Sequence, residues 1–174
     1  MAKQLWLSLV ILLLCTGSVQ TQALAKSTVT RPPAPNWAPE VFHKKIEVIR
    51  KTKWLYAWER RGKNWQKVYS FRVSVGAWDT PTPRGKFHIF WREDFAVNSD
   101  GTELGHALDF ALINEHPLTM SIHGWDWNPF TEKWGWGSHR LGRVRVTQGC
   151  VQLLRRDMAK LYRWTPLGTP MIVH

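Results

Sequence analysis

This chain is predicted to be mainly β with minor α content, and three observations carry that prediction. Apolar and polar residues alternate with a period of two around Ile46–Val48, Trp54–Glu59 and Tyr69–Val75, the pattern of half-buried strands. Turn chemistry separates the runs: Arg61-Gly62-Lys63-Asn64 marks a turn, and the paired prolines of Asp79-Thr80-Pro81-Thr82-Pro83-Arg84-Gly85 block both helix and sheet pairing. The best helical spacing comes late. Leu153, Leu154, Met158, Leu161 and Tyr162 share a face, with Arg155, Arg156 and Lys160 outside it.

Residues 1–25 read as a cleavable signal peptide. Lys3 supplies the positive start, Leu5–Leu14 the apolar run and Ala23-Leu24-Ala25 the small-x-small cleavage pattern. The run is too short to span a bilayer comfortably, so no transmembrane segment is expected after signal removal. Leu14 is too bulky for lipoprotein processing at Cys15. Residues 26–40, rich in Pro, Ser and Thr, read as a flexible leader. The folded domain is expected over 41–174.

Within that domain, Lys86–Trp91 resumes the alternation, and Ala107–Ile113 reads as a strand or a short buried piece. Leu118–Ile122 reads as a strand leading into His123. Between His123 and Cys150 lies a Gly-, Asn- and Pro-containing insert with Trp125, Trp127, Trp134 and Trp136. Those indoles can stack on sugar rings or form a lid; the plainer alternative is a small cluster packing the loop onto the domain. The helix is expected to begin shortly after Cys150, bringing its N-terminus near the thiol. Met171-Ile172-Val173 closes the chain as a final strand.

Charge narrows the function classes. The full chain carries +11, and removing Lys3 with the leader leaves 23 basic against 13 acidic residues, a net +10. Such a surface suits an anionic partner. Export to the periplasm sets nucleic acid aside and favours an acidic wall polymer or an anionic lipid surface. The alternative is that the charge serves solubility alone.

Of the two cysteines, Cys15 leaves with the signal and Cys150 remains without an intramolecular partner in an oxidising compartment. Either Cys150 is a small packing thiol, or it is a nucleophile activated by His123 of Met120-Ser121-Ile122-His123-Gly124. His88, His106, His116 and His139 follow no metal-ligand spacing. The carboxylates form no recognisable acid–base pair, and no metal or organic cofactor is expected.

Taken in order, four motifs resemble one family: Thr80–Gly85 (Thr-Pro-Thr-Pro-x-Gly), Ile122-His123-Gly124, Gly149-Cys150-Val151-x-Leu153 and Leu167–Val173 (Leu-Gly-Thr-Pro-Met-Ile-Val). The chain is similar to the YkuD-type L,D-transpeptidases of bacterial cell walls from about Ile46 to Val173. The resemblance implies a two-sheet β-sandwich or open barrel with one helix after a catalytic cysteine. It implies acyl transfer on peptidoglycan tetrapeptide stems, with loss of D-alanine and a cross-link between the third residues of two stems. Cys150 would be the nucleophile and His123 its base. The Gly124 carbonyl would orient the imidazole, and the amides of Gly149 and Cys150 would hold the oxyanion. Thr147, Gln148 and Trp125 would face substrate.

Two departures stand out. Thr147-Gln148-Gly149-Cys150 replaces the family's Ser-His-Gly-Cys, and Gln152 replaces an arginine two residues after the cysteine. Arg84, Arg140, Arg143 or Arg145 can replace that arginine toward a substrate carboxylate. Three alternatives stay open: an L,D-carboxypeptidase, an enzyme joining or detaching an outer-membrane lipoprotein, and a non-catalytic wall-binding module.

Overall fold

The structure is a computed structural model, and it describes residues 29–30, 43–97, 101, 103–113, 119–124, 127–128, 133–134 and 141–174. In chain order the strands are β1 (Val29–Thr30), β2 (Lys44–Ile49), β3 (Trp54–Arg61), β4 (Asn64–Arg72), β5 (Val75–Gly76), β6 (Gly85–His88) and β7 (Trp91–Val97). There follow β8 (Glu103–Ile113), β9 (Thr119–Gly124), β10 (Trp127–Asn128), β11 (Lys133–Trp134), β12 (Arg145–Thr147), β13 (Val151–Leu153), helix α1 (Arg155–Trp164) and β14 (Pro170–Val173).

Two main sheets face each other. One runs β4-β3-β2-β14-β6; the other runs β11-β10-β8-β9-β13, with β1 and β7 also pairing β8. A parallel pair, β5 with β12, forms a third, small sheet. The architecture is the mainly β, two-sheet arrangement expected, with sheets not closed into a barrel.

Strand alternation explains the core. In β2 and β3 the inward residues are Ile46, Val48, Leu55 and Ala57, while Trp54, Tyr56 and Trp58 line the partly exposed outer face. Lys45, Lys67 and Arg72 lie over those outer rings, shielding aromatic surface with cations. On the inner side, Phe87 of one sheet meets Phe110 of the other edge-on at 5.4 Å. Leu108, Ile122, Val151 and Leu153 complete one continuous core.

Helix α1 buries Met158, Leu161 and Tyr162, the i, i+3, i+4 stripe, against that core. Asp157 in its first turn and Arg163 in its last both complement the helix dipole. Lys44 Nζ donates to the Trp164 carbonyl at 2.7 Å, adding a cation at the same C-terminal end. Thr165 ends the helix: its N–H and hydroxyl both bond the Leu161 carbonyl, and Pro166 follows.

Two expectations differ from what is found. Val151–Leu153 is a strand parallel to β9, so the helix begins at Arg155 and its N-terminus is not at Cys150. The apolar run Val151-Gln152-Leu153-Leu154 fits either period, and pairing with β9 decides it. Lys86–Trp91 is not one strand: the chain leaves one sheet after His88 and enters the other at Trp91. Ala107–Ile113, read as a strand or a short buried piece, lies within the long strand β8, which β7 precedes. Within 26–40, read as a flexible leader, Val29 and Thr30 pair Ile113 and Leu112. Of the insert, Trp127 pairs Trp134 in a short hairpin. The signal segment, Trp125, Trp136, His116, His139 and Arg140 lie outside the described residues.

Candidate active site

The register of one sheet assembles the site. Strand β13 runs parallel to β9 with Val151 beside Ile122 and Gln152 beside His123. The residue preceding that pairing, Cys150, is thereby brought against Ser121, and the Ser121 N–H donates to Cys150 Sγ at 3.5 Å. Alternation sends Ile122 and Val151 into the core and leaves Ser121, His123 and Gln152 on the other face. Apolar packing on one side of β9 thus fixes the chemistry on its other side.

His123 is 4% exposed, and its Nδ1 lies 2.8 Å from the Gly124 carbonyl. A carbonyl only accepts, so Nδ1 carries the proton and Nε2 holds the lone pair. That is the tautomer a base needs for a thiol. Gly124 matters for more than its carbonyl, because a Cβ there would come within 2.7 Å of the Leu104 carbonyl oxygen.

Electrostatics favour the thiolate. Burial pushes the Cys150 pKa up, but the hydrogen bond and charge of His123, aided by Ser121, outweigh it and hold the thiol below its ordinary value. The residue still keeps part of its surface open. A packing thiol would show the opposite balance, since burial alone raises a thiol pKa.

The turn carrying Cys150 is tied from beneath. The Cys150 carbonyl accepts from Thr147 Oγ1 at 2.6 Å and from Thr82 Oγ1 at 3.4 Å. Thr82 in turn accepts the Gly76 N–H at 2.9 Å, and Arg50 donates to the Thr82 carbonyl at 2.5 Å. Thr80 Oγ1 donates to the Thr147 carbonyl at 3.2 Å. The Thr-Pro loop is thus a clamp on the nucleophile's backbone. Gly149 adopts φ +107°, a conformation that favours glycine, while a Cβ there would meet only the movable end of the Met120 side chain, Cε at 2.8 Å.

Thr147 is buried, with its hydroxyl spent on the Cys150 carbonyl, while Gln148 is exposed on the turn. Arg145 stacks on Trp78 at 4.4 Å and, with Arg84, acts electrostatically on Arg50, so these three guanidiniums form one group. Arg143 is exposed on the preceding turn. Gln152 is buried on β13 next to His123. A cavity of about 330 Å³ opens beside Gly124, lined in part by Phe95, His106, Arg155 and Met158. Among the described residues, no three His, Cys, Asp or Glu side chains converge as a metal site.

Ser121, Thr82, Arg50, Gly76 and Asp109 were not singled out from sequence for this site. Asp109 did carry a signal, as a carboxylate inside the apolar run Ala107–Ile113. It is 3% exposed, and burial, joined by the charge of Glu93, raises its pKa to about 6 against the opposing Thr119, Ser121 and His123. The folded protein then binds this proton more tightly than the unfolded chain. Stability therefore falls as pH rises from about 4 to about 6 and stays reduced above that. Asp109→Asn is expected to raise stability by about 3 kcal/mol near neutral pH, with the gain vanishing near pH 4. Urea unfolding at both pH values checks this.

The family model described as the YkuD L,D-transpeptidase catalytic domain matches residues 43–173. The fold is similar to an L,D-transpeptidase from Mycobacterium smegmatis (TM-score 0.58, 18% identity, 76% of this chain and 58% of that one). It is also similar to an Enterococcus faecium L,D-transpeptidase (0.55, 21%, 76% and 50%). An L,D-transpeptidase solved in complex with imipenem gives 0.56 at 18% identity, over 76% of this chain and 59% of that one. The chain thus spans half to three-fifths of the length of these structures. A search of curated proteins found no match. With three-quarters of its length matched by one family model, the chain belongs to the YkuD L,D-transpeptidase catalytic domain family.

Proposed function

We propose that this chain is an exported cysteine acyltransferase acting on peptidoglycan stem peptides in the periplasm. The observation that carries the reading is the Cys150 thiol set against His123, whose tautomer is fixed by the Gly124 carbonyl. In the first step the Cys150 thiolate attacks the carbonyl carbon of the stem's third residue. The tetrahedral oxyanion forms against the backbone amides of Gly149 and Cys150. The C–N bond to D-alanine then breaks, and the imidazolium of His123 gives its proton to the departing amine. In the second step an acceptor amine attacks the thioester, loses its proton to His123 and frees the thiolate. Water in place of the amine gives carboxypeptidase turnover by the same path.

The cationic group supports an anionic substrate. Desolvation, with the like charges of Arg84 and Arg145, lowers the Arg50 pKa, so a nearby carboxylate relieves repulsion as well as pairing. Among the described residues, Arg145 Nε is buried with no hydrogen-bond partner, and the Trp78 ring on which it stacks is 85% exposed. Arg84 and Arg145 thereby stand in for the arginine missing at Gln152.

The test is intact-mass spectrometry after incubation with a carbapenem and, separately, with a diaminopimelate-containing tetrapeptide. A covalent adduct on Cys150 and loss of D-alanine are expected, with a dimeric product for transpeptidation and free tripeptide for hydrolysis. Absence of both adduct and D-alanine would sink the reading. Detachment or attachment of a lipoprotein, or wall binding without turnover, would then be the activity to assay.

A further inference from the structure

Strand register sets two rows of side chains across the face of the sheet that bears the dyad. Trp91 of β7 pairs Asp109 of β8, Asp109 pairs Ser121 of β9, and Ser121 meets Cys150. In the next row Glu93 pairs Ala107, Ala107 pairs His123, and His123 pairs Gln152. Asp109 thus stands one strand behind Ser121 and diagonally next to His123. Cys150 lies two strand spacings from it, about 10 Å at 4.8 Å per spacing.

We propose that Asp109 is a positioning residue for the Cys150–His123 pair, holding Ser121 against the sulfur and placing a negative charge on the imidazole side. The proposal rests on Cys150 acting as the nucleophile. The Ser121 side chain acts favourably on both the carboxylate, its register partner, and the sulfur, and its backbone N–H donates to the sulfur, so one short residue links acid and thiol. A carboxylate nearer His123 than Cys150 stabilises the imidazolium more than it disfavours the thiolate. Among the described residues, the ionisable groups acting on Asp109 are Glu93 from β7 and His123 from β9. Glu93 delays its ionisation and His123 promotes it. Its raised proton affinity puts the onset of that charge near pH 6, within the range in which the pair must form.

A buried carboxylate held at a cost to stability fits a functional assignment better than a packing one. Buried groups with shifted proton affinity cluster at functional sites. The anion–cation–anion order along Asp109, His123 and Cys150 has the same logic as a carboxylate orienting an imidazole in a hydrolytic triad. Here, though, the Nδ1 position is already taken by the Gly124 carbonyl. Asp109 therefore acts through field and through Ser121, not by direct contact with the ring nitrogen.

The experiment is the pH dependence of Cys150 alkylation by iodoacetamide in the full chain, read at the Cys150 peptide by mass spectrometry. Wild type should show an acidic inflection near pH 6 in addition to the thiol midpoint. Asp109→Asn should lose that inflection, raise the midpoint and slow alkylation near pH 7 about three- to tenfold, the effect of half to one pKa unit. Asp109→Glu should restore the inflection. Ser121→Ala should keep it while raising the midpoint. Identical profiles for wild type and Asp109→Asn would overturn the proposal while leaving Cys150 as nucleophile. A Cys150 unreactive at every pH in all variants would instead overturn the nucleophile itself. A rate lowered equally at all pH values in Asp109→Asn would mark a merely structural role and count against the proposal.

Discussion

Cys150→Ala is expected to abolish both the covalent adduct and acyl transfer, while His123→Ala keeps the thiol and lowers the acylation rate about 10²–10⁴-fold, the usual contribution of a positioned acid–base group. The two substitutions separate nucleophile from base. In wild type, His123 outweighs the burial that would raise the thiol pKa. Without the imidazole, burial is left largely unopposed, so the alkylation midpoint should move upward, past the ordinary thiol range. The sign follows from the competing causes: the thiolate is favoured only while its partner is present. Rate recovery at high pH in His123→Ala, where solvent removes the proton, would identify the lost function as thiol activation. A variant that alkylates with the wild-type midpoint would show that some other group activates the sulfur.

Much of this was legible in sequence because it is local. Period-two alternation located β2, β3 and β4, and β9 followed from the apolar run that ends at His123. The Thr-Pro loop was legible because prolines forbid pairing, and Gly149 through the family resemblance alone; its φ of +107° was not. Features that depend on register were not legible. Nothing near Arg50 in the chain says that its guanidinium will reach the Thr82 carbonyl, thirty-two positions away. Ser121 is an ordinary strand serine until β13 brings Cys150 beside it. The misplaced helix start has the same origin. A short apolar run satisfies both periods, and only the β9 edge waiting for a partner selects the strand. Asp109 is intermediate: its charge within an apolar strand was visible, but its row with Ser121 and Cys150 required the pairing of three strands.

Gly76→Ala tests whether the Thr-Pro loop is a structural clamp on the nucleophile. The backbone of Gly76 does not need positive φ, so the substitution carries no conformational penalty of that kind. Space is the issue. A Cβ at this position would lie 2.3 Å from the Thr80 carbonyl oxygen and from the Thr82 amide nitrogen, and 2.7 Å from the Pro81 carbonyl carbon. All three are backbone atoms, so no side-chain rotation relieves the clash, and the loop must move. Moving it breaks the Gly76 N–H to Thr82 bond and displaces the Thr82 hydroxyl from the Cys150 carbonyl. The expected cost is about 3 kcal/mol, the upper end of overpacking penalties. In thermal unfolding that corresponds to a loss of roughly 10 °C. Cys150 acylation should fall along with stability. Thr82→Val provides the contrast: the loop keeps its room and loses only hydroxyl bonds, so the cost should be about 1–2 kcal/mol. If Gly76→Ala melts within a degree or two of wild type, the loop is compliant and does not clamp the turn. If it is destabilised yet acylates at the wild-type rate, the loop supports the fold without positioning Cys150. Loss of both is the outcome the clamp requires, because the same three loop residues carry the steric contact and the hydrogen bond to the nucleophile's carbonyl.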